Sequence, residues 1–116
     1  MPDKTMKLLE GMIDVAAYRQ KVLTSNIANA DTPGYKAKDI SFQKELDKFK
    51  GVTEFKSGNR SYDVYEPVTT LPNKDGNTVN IDIEMAKVAE NKLIYSTATQ
   101  LMSMKIRMLK DVLKAQ

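Results

Sequence analysis

The chain has 116 residues and contains neither Cys nor His, which excludes disulfides, Cys- or His-ligated metal sites and His-based acid–base catalysis. Val, Leu, Ile and Phe account for only 27 residues, which disfavours a large private core and leaves burial shared with partner chains as an alternative. The net charge of +3 is too small to favour nonspecific binding to polyanions.

Pro and Gly divide the chain into three segments. Residues 33–80 hold three of the four Pro and four of the five Gly. This distribution predicts an N-terminal helix in residues 1–32, a motif turn and small insert in 33–80, and a C-terminal helix in 81–116. The expected fold is mainly α, one discontinuous helical domain with a short irregular or β-containing insert.

The first segment carries a heptad pattern from Met6 to Ala30, within a helix expected from Lys4 to Ala30. Apolar residues recur at alternating spacings of three and four, with only Gln20 polar. This pattern predicts a helix whose seam faces another helix. Gln20 either fixes the register of that pairing or is a tolerated polar residue at a wet position. The predicted helix-packing residues on this helix are Leu9, Ile13, Ala16 and Leu23.

The insert predicts short elements only. Residues 41–50 place apolar side chains at spacings of four and three, which favours a short amphipathic helix. Residues 61–66 alternate as a short strand does, and Pro67 and Pro72 confine any such strand to a sheet edge. Residues 75–77, Asp-Gly-Asn, predict a turn before the last helix.

The last segment predicts a helix from Asp82 to Lys114. Apolar residues repeat every seven positions in two neighbouring rows, and the acidic first turn and basic last turn complement the helix dipole. The predicted helix-packing residues here are Val88, Tyr95, Ala98, Leu101, Met102 and Leu109.

Sequence patterns of enzymes are absent. The chain has no Gly-rich phosphate loop, no Gly-x-Ser-x-Gly elbow and no helix with paired metal ligands. No enzyme, cofactor or small-molecule substrate is therefore expected. The basic residues are interleaved with acidic ones, which disfavours nucleic-acid binding. A cytoplasmic helical-hairpin adaptor or a nucleic-acid-binding protein is the alternative interpretation.

A secretory signal is not recognisable either. The longest apolar run, Val15 to Tyr18, is far shorter than a signal peptide core or a bilayer span. Acidic residues, Asp3 and Glu10 among them, interrupt the first turns. The protein is expected to be cytoplasmic, or exported by a route that uses no such signal.

The most informative stretch is residues 25–36, which joins the first helix to the insert. Thr32 precedes Pro33 and is therefore pushed out of the helical region. Pro33 and Gly34 suit the two central positions of a type II turn, with Gly34 at positive φ. Tyr35 is then free to fold back against the helix. These residues predict a helix end and turn with nothing catalytic in it.

As a motif, the same stretch resembles the N-terminal motif of the bacterial flagellar axial proteins, which build rod and hook. The matching assembly-motif positions are Ser25, Asn26, Ile27, Ala28, Asn29, Asp31, Thr32, Pro33, Gly34 and Tyr35. Residues 36–42, 75–86 and 89–95 also look like the short proximal branch of the basal-body rod family, and one other short rod branch remains open. Hook and distal rod members carry large inserted domains that this chain lacks.

The resemblance implies a fold and a set of partners. The terminal helices would pair as an antiparallel coiled coil, and copies would stack helically into a tube that transmits torque. The implied partners are other flagellar rod proteins, the adaptor linking rod to ring, the export apparatus during secretion, and further copies of the chain. The implied location is the flagellar basal body in the cell envelope, reached without a cleaved signal peptide.

Overall fold

The computed structural model describes residues 4–49, 61–68 and 71–115. The ends of the predicted terminal segments (residues 1–3 and 116) and Lys50, the last residue of the predicted short helix, lie outside the described residues. The elements, in chain order, are α1 (Lys4–Ala28), β1 (Asp39–Ile40), α2 (Phe42–Asp47), β2 (Val64–Tyr65) and α3 (Ile81–Lys114).

The two long helices, α1 and α3, pack side by side and run antiparallel. Near the end of α1, Asn26 contacts Glu84 at the start of α3, whereas Asn91, further along α3, contacts Ala16 in the middle of α1. Buried residues recur every seven positions on both helices, namely Leu9, Ala16 and Leu23 on α1 and Glu84, Asn91 and Ala98 on α3. The predicted mainly α fold with paired terminal helices is confirmed.

A second face of α1 packs against the insert. Val15, Ile40 and Phe49 form a small apolar core, with Tyr18, Phe42, Leu46 and Tyr62 around it. Gly11 lies under the Phe49 ring, where an added Cβ would come within 2.9 Å of ring carbon Cδ1. A glycine in the helix interior therefore allows the ring to lie directly on the α1 backbone.

The insert is held in place by a short helix and a minimal sheet. Helix α2 begins after Ser41, whose hydroxyl accepts a hydrogen bond from the Lys44 backbone N–H. Strands β1 and β2 pair antiparallel, with Asp39 opposite Tyr65 and Ile40 opposite Val64. β2 lies within the predicted strand at 61–66, while β1 is too short to show an alternating pattern.

Candidate functional site

The segment that follows α1 is a compact turn. The backbone N–H of Tyr35 donates to the carbonyl of Thr32 at 3.2 Å, closing a four-residue turn with Pro33 and Gly34 at its centre. Gly34 has a φ of 75°, as predicted for the third residue of a type II turn. No atom lies within 4 Å of the place where a Cβ would stand, so glycine is required for its backbone conformation alone.

Asn26 is a fully buried amide at the centre of this site. Its Nδ2 donates to the carbonyl of Lys38 at 2.7 Å and to Oε2 of Glu84 at 3.0 Å. Its Oδ1 accepts from the backbone N–H of Lys38 at 3.0 Å and from the hydroxyl of Tyr35 at 3.2 Å. One side chain thus joins α1, the segment before β1 and the first turn of α3, and Tyr35 folds back on α1 as predicted.

Asn77, on the loop before α3, is a second buried amide with 1 % exposure. Its Nδ2 donates to the carbonyls of Asn29 at 2.9 Å and Thr32 at 2.8 Å, both just after α1. Its Oδ1 accepts from the backbone N–H of Val79 at 2.7 Å, which shapes the loop itself. The two carbonyls, each of which already accepts a local backbone N–H, thus gain a second donor from a segment about 45 residues away in the chain.

Further hydrogen bonds join the same two segments. The N–H of Gly34 donates to the carbonyl of Asp75 at 2.8 Å, and the N–H of Thr78 to the carbonyl of Tyr35 at 3.0 Å. The Thr78 hydroxyl accepts from the N–H of Ala37 at 2.8 Å. We call this hydrogen-bonded pair of segments, residues 25–38 and 73–80, the turn clamp. It fixes where the chain leaves α1 and where it enters α3.

The residues of the predicted assembly motif differ in exposure. Asn26 is buried and shapes the clamp, while Asn29 is half-buried and bonds within its own turn, to the Ser25 carbonyl at 2.8 Å and the Thr32 hydroxyl at 3.0 Å. The exposed motif residues are Ser25, Ala28, Asp31, Thr32, Pro33 and Gly34, and the half-buried ones are Ile27, Asn29 and Tyr35.

A buried ion pair attaches the insert to both long helices. Nε and Nη2 of Arg19 on α1 bond the two carboxylate oxygens of Asp39 on β1, at 2.9 and 3.2 Å. Nη1 of Arg19 bonds Glu90 on α3 at 3.0 Å, and Lys87 on α3 approaches Asp39 at 3.4 Å. Burial lowers the pKa of Arg19, but the bonds and charge of Asp39 and Glu90 outweigh it and raise that pKa above its ordinary value.

A second ion pair lies within the insert. Nζ of Lys48, at the end of α2, bonds Glu45 at 2.9 Å and Asp63 at 3.1 Å, beside β2. The hydrogen bond to Glu45, followed by that to Asp63, raises the pKa of Lys48. The contact fixes β2 against α2 at a partly exposed site, where ion pairs contribute little to stability.

The predicted helix-packing residues fall into three groups. Leu9, Ala16, Leu23 and Ala98 are buried; Ile13, Val88, Met102 and Leu109 are half-buried; Tyr95 and Leu101 are exposed. Tyr95 and Leu101 are 44 and 45 % exposed because Asn91 and Ala98 occupy the centre of the seam and place both side chains on its flanks. Both residues flank the seam, and Tyr95 lies beside Ala16, Ala17 and Gln20 of α1.

Polar residues at buried positions were not predicted from the sequence. Asn91 is 1 % exposed, and its Nδ2 donates to the carbonyl of Ala16 at 2.8 Å and to Oε1 of Gln20 at 3.1 Å. Gln20 thus contacts a polar partner across the seam, which supports its role in register. Asn91 and Glu84 stand seven residues apart with Ala98 next in the series, and this spacing is the signal that could have found them.

The hydrogen bonds and ion pairs described above join α1, the insert and α3 to one another. Such contacts are suited to a structural role. Among the described residues, no group of three or more carboxylates is placed to hold a metal ion. None of the described helices has the length and apolar content needed to cross a membrane. Large apolar side chains are nevertheless exposed along α3, including Leu93 at 69 % and Leu113 at 70 %.

The chain is similar in sequence to known proteins over most of its length. A family model described as flagella basal body rod protein matches residues 10–36, which span most of α1 and its turn. The chain is 36 % identical to the flagellar basal body rod protein FlgB of Bacillus subtilis (strain 168), over 94 % of this chain and 92 % of the relative. It is 32 % identical to FlgB of Escherichia coli (strain K12), over 97 % and 95 %, and 42 % identical to FlgB of Cereibacter sphaeroides, over 84 % of each.

Proposed function

The chain belongs to the family of FlgB flagellar basal body rod proteins, and we propose that it enters the rod as an antiparallel helical hairpin whose uncovered apolar side chains dock on neighbouring subunits. It is a structural subunit of the flagellar basal-body rod, which self-assembles with other rod proteins into a tube that transmits torque. Of the two short rod branches that the motif left open, the FlgB branch is the one that these relatives carry.

The observation that carries the docking proposal is the exposure of large apolar side chains on α3. Leu93 is 69 % exposed and Met108 63 %, on a helix whose other side is already covered by α1. Apolar area of this kind is unfavourable in water and is typical of surfaces that bind protein. Tyr95 and Leu101, which flank the helix seam, belong to this outward-facing set.

The turn clamp would support assembly by fixing the orientation of the insert relative to the two long helices. Its buried amides hold the exit of α1 and the start of α3 in one arrangement, so the insert has one direction relative to the helices. We propose that the exposed motif residues, Asp31 and Pro33 among them, contact neighbouring subunits from this fixed position. Residues 1–32, 33–80 and 81–116 then act as one discontinuous helical domain.

Two further partners are proposed from the role of the chain as a rod subunit. We propose contacts with the adaptor that links rod to ring, and with the flagellar export apparatus during secretion, without a cleaved signal peptide. Two long helices joined through a few hydrogen-bonded turns would unfold for export and refold at the assembly site. Catalysis forms no part of this role, and the adaptor or nucleic-acid-binding alternative has no support from the relatives.

The test is complementation of a strain that lacks this gene. Leu93→Glu and Gln100→Glu introduce the same charge at exposed positions of α3, but only the first removes an apolar docking side chain. We expect Leu93→Glu to remain helical by circular dichroism and to yield few hook–basal bodies, and Gln100→Glu to assemble normally. Equal assembly of both variants, or absence of the wild-type chain from purified basal bodies, would contradict the proposal.

A further inference from the structure

The end of α3 extends past the described start of α1. Ala16 of α1 lies beside Asn91 of α3, and each step toward the start of α1 is a step toward the end of α3. Lys4, the first described residue of α1, therefore lies near Lys105. Residues 106–114 of α3, which we call the overhang, have no part of the described α1 beside them. At about 1.5 Å per residue, the overhang is about 13 Å long.

The overhang carries an apolar row on the side of α3 that faces α1. Val112 follows Asn91 and Ala98 in the seven-residue series of the helix seam, yet it is 57 % exposed. Leu113, next to it, is 70 % exposed. We call this row the overhang stripe; it consists of Ile106, Leu109, Val112 and Leu113, of which only Leu109 is half-buried. The stripe continues the seam at a level that the described part of α1 does not reach.

Another side of the overhang is basic. Arg107, Lys110 and Lys114 recur at spacings of three and four, so they lie on one side of the helix. All three are exposed, and none of them has an ion pair among the described contacts; the overhang holds one acidic residue, Asp111. An apolar row bordered by unpaired positive charge favours a partner that carries both apolar and acidic side chains.

The shape of this surface favours a helix as the partner. Because the overhang stripe faces the side that α1 occupies, it forms the floor of a step, and the described start of α1 forms the wall. An α-helix with its side chains is about 10–12 Å thick, so a second helix fits into the step in line with α1. A flat bilayer surface would meet α1 before it covered the stripe, which disfavours a membrane.

The long helices of the chain itself have the wrong charge for this step. α1 carries four basic and two acidic residues, and α3 carries six basic and four acidic residues, so both helices are positively charged. A second copy would bring like charge to the overhang, which is unfavourable beside Arg107 and Lys110. Charge therefore favours a helix of a different protein.

We propose that the overhang stripe binds an acidic amphipathic helix of another protein, which lies against α3 in line with α1. This inference rests on the proposed function and adds the place of one contact and the chemistry of the partner. Apolar side chains of the partner cover Val112 and Leu113, and its carboxylates pair with Arg107, Lys110 and Lys114. The contact extends the two-helix seam from one protein to the next.

The probe for this contact is a synthetic peptide of about three heptads, with Leu at positions a and d and Glu at positions e and g. A counterpart peptide has Lys in place of every Glu, and in both peptides like charges oppose pairing of the peptide with itself. Fluorescence anisotropy of the labelled peptides measures binding to the full-length protein. We expect the Glu peptide to bind and the Lys peptide not to bind. Equal binding of the two peptides, or binding of neither, would overturn the proposal.

Two matched pairs of variants locate the contact. Leu113→Gln removes an apolar side chain from the overhang stripe, and Leu71→Gln removes one that is 90 % exposed elsewhere. Lys110→Gln and Lys92→Gln each remove an exposed positive charge from α3, but only the first lies in the overhang. We expect Leu113→Gln to bind the Glu peptide at least about tenfold more weakly and Lys110→Gln several-fold more weakly. The two control variants should bind like the wild type, and equal effects within either pair would contradict the contact.

Two other occupants of the stripe have measurements of their own. Analytical ultracentrifugation of the wild type and Leu113→Gln detects pairing between copies of the chain. Co-sedimentation with phosphatidylglycerol vesicles detects binding to a membrane. We expect neither result to depend on Leu113. Self-association or vesicle binding that is lost in Leu113→Gln would mean that another occupant covers the stripe, and the proposal would be wrong.

Complementation separates this inference from the role in the rod. In a strain that lacks the gene, we expect the wild-type chain in purified basal bodies and a marked depletion of Leu113→Gln, while Leu71→Gln assembles normally. Normal assembly of Leu113→Gln would overturn the overhang contact and leave the rod role in place. Absence of the wild-type chain from basal bodies would instead show that the rod role itself is wrong.

Discussion

Asn26 on α1 donates a 3.0 Å hydrogen bond from Nδ2 to Oε2 of Glu84 in the first turn of α3, across 58 positions of the chain. The two residues are 0 and 2 % exposed, so the bond lies where water cannot replace it. A carboxylate in the first turn of a helix is favoured by the helix dipole, and Asn26 offers it a donor without a second charge. Asn26 of the assembly motif therefore connects the two long helices within one chain.

Asn26→Ala should be strongly destabilising. The substitution removes four hydrogen bonds and leaves the buried carboxylate of Glu84 and the part-buried backbone groups of Lys38 without these partners. Each unsatisfied buried group costs about 1–3 kcal/mol, so we expect a total loss of about 3 kcal/mol or more. Urea unfolding followed by circular dichroism measures it. The adjacent exposed Ser25→Ala is the control and should change stability by less than about 0.5 kcal/mol.

Substitutions of Gly34 measure the effect of backbone conformation on stability, without a steric contribution. No atom would contact a Cβ there, so any cost of substitution comes from the φ of 75°. We expect Gly34→Val to lose about 1–2 kcal/mol and Gly34→Asn to lose much less, because Asn tolerates left-handed backbone. Motility should fall for Gly34→Val while export continues. Normal swimming of that strain would show that the turn does not aim the insert.

Substitution of Gly11 measures a steric effect, because the Phe49 ring leaves no room for a side chain at this position. An alanine methyl would come within 2.9 Å of the Phe49 ring, although alanine is the better helix former by about 1 kcal/mol. We expect Gly11→Ala to destabilise the wild-type protein but to stabilise the Phe49→Leu background, where the smaller side chain leaves room. Additive effects in this double-mutant cycle would mean that the ring and residue 11 do not contact each other.

Arg19 should not be replaceable by lysine. A single ammonium cannot reproduce the two parallel bonds to Asp39 and the third to Glu90. We expect Arg19→Lys to lose about 2–3 kcal/mol, since it weakens a buried pair, and Glu90→Gln to lose at most about 1 kcal/mol, since Glu90 is exposed. Denaturant unfolding of both variants provides the comparison, and equal losses would contradict it.

The pH dependence of the Arg19 effect has a definite sign. The pKa of Arg19 is raised in the folded protein, so its contribution is complete below its ordinary pKa and lost only as pH rises through the folded value. The difference between wild type and Arg19→Lys should therefore be the same at neutral and mildly alkaline pH. A difference that shrinks across this range would mean that another group titrates with the pair.

The sequence predicted the helices well because their signal is local. Heptad spacing fixed α1 and α3 to within two residues at each end, and Pro33-Gly34 predicted the turn because only glycine adopts positive φ freely. The pairing of the helices was predicted through a family resemblance, since apolar stripes alone do not name their partners. The roles of the motif residues in assembly remain predictions.

What the sequence could not predict is which polar residues are buried. Glu84 and Asn91 are polar, so their residue types predict exposure to solvent, although both are buried. A search for apolar periodicity selects Tyr95 and Leu101 as packing residues instead. Their burial depends on donors and acceptors that come from α1, more than 50 residues away. A two-residue strand such as β1 likewise depends on its partner and carries no periodicity of its own.

The last prediction tests the helix seam in the assembled rod. Leu23 is fully buried between the helices, whereas Lys21, two residues earlier, is exposed on another face of α1. Leu23→Asp would bury a charge without a partner, at a cost of several kcal/mol. In a tube the same defect repeats at every copy, so assembly should fail cooperatively, while Lys21→Asp should be mild. Both variants can be expressed in a rod-deficient strain and scored for hook–basal bodies by electron microscopy. Equal effects would mean that the three-and-four spacing does not mark the packing face, and the coiled-coil interpretation of α1 would have to be abandoned.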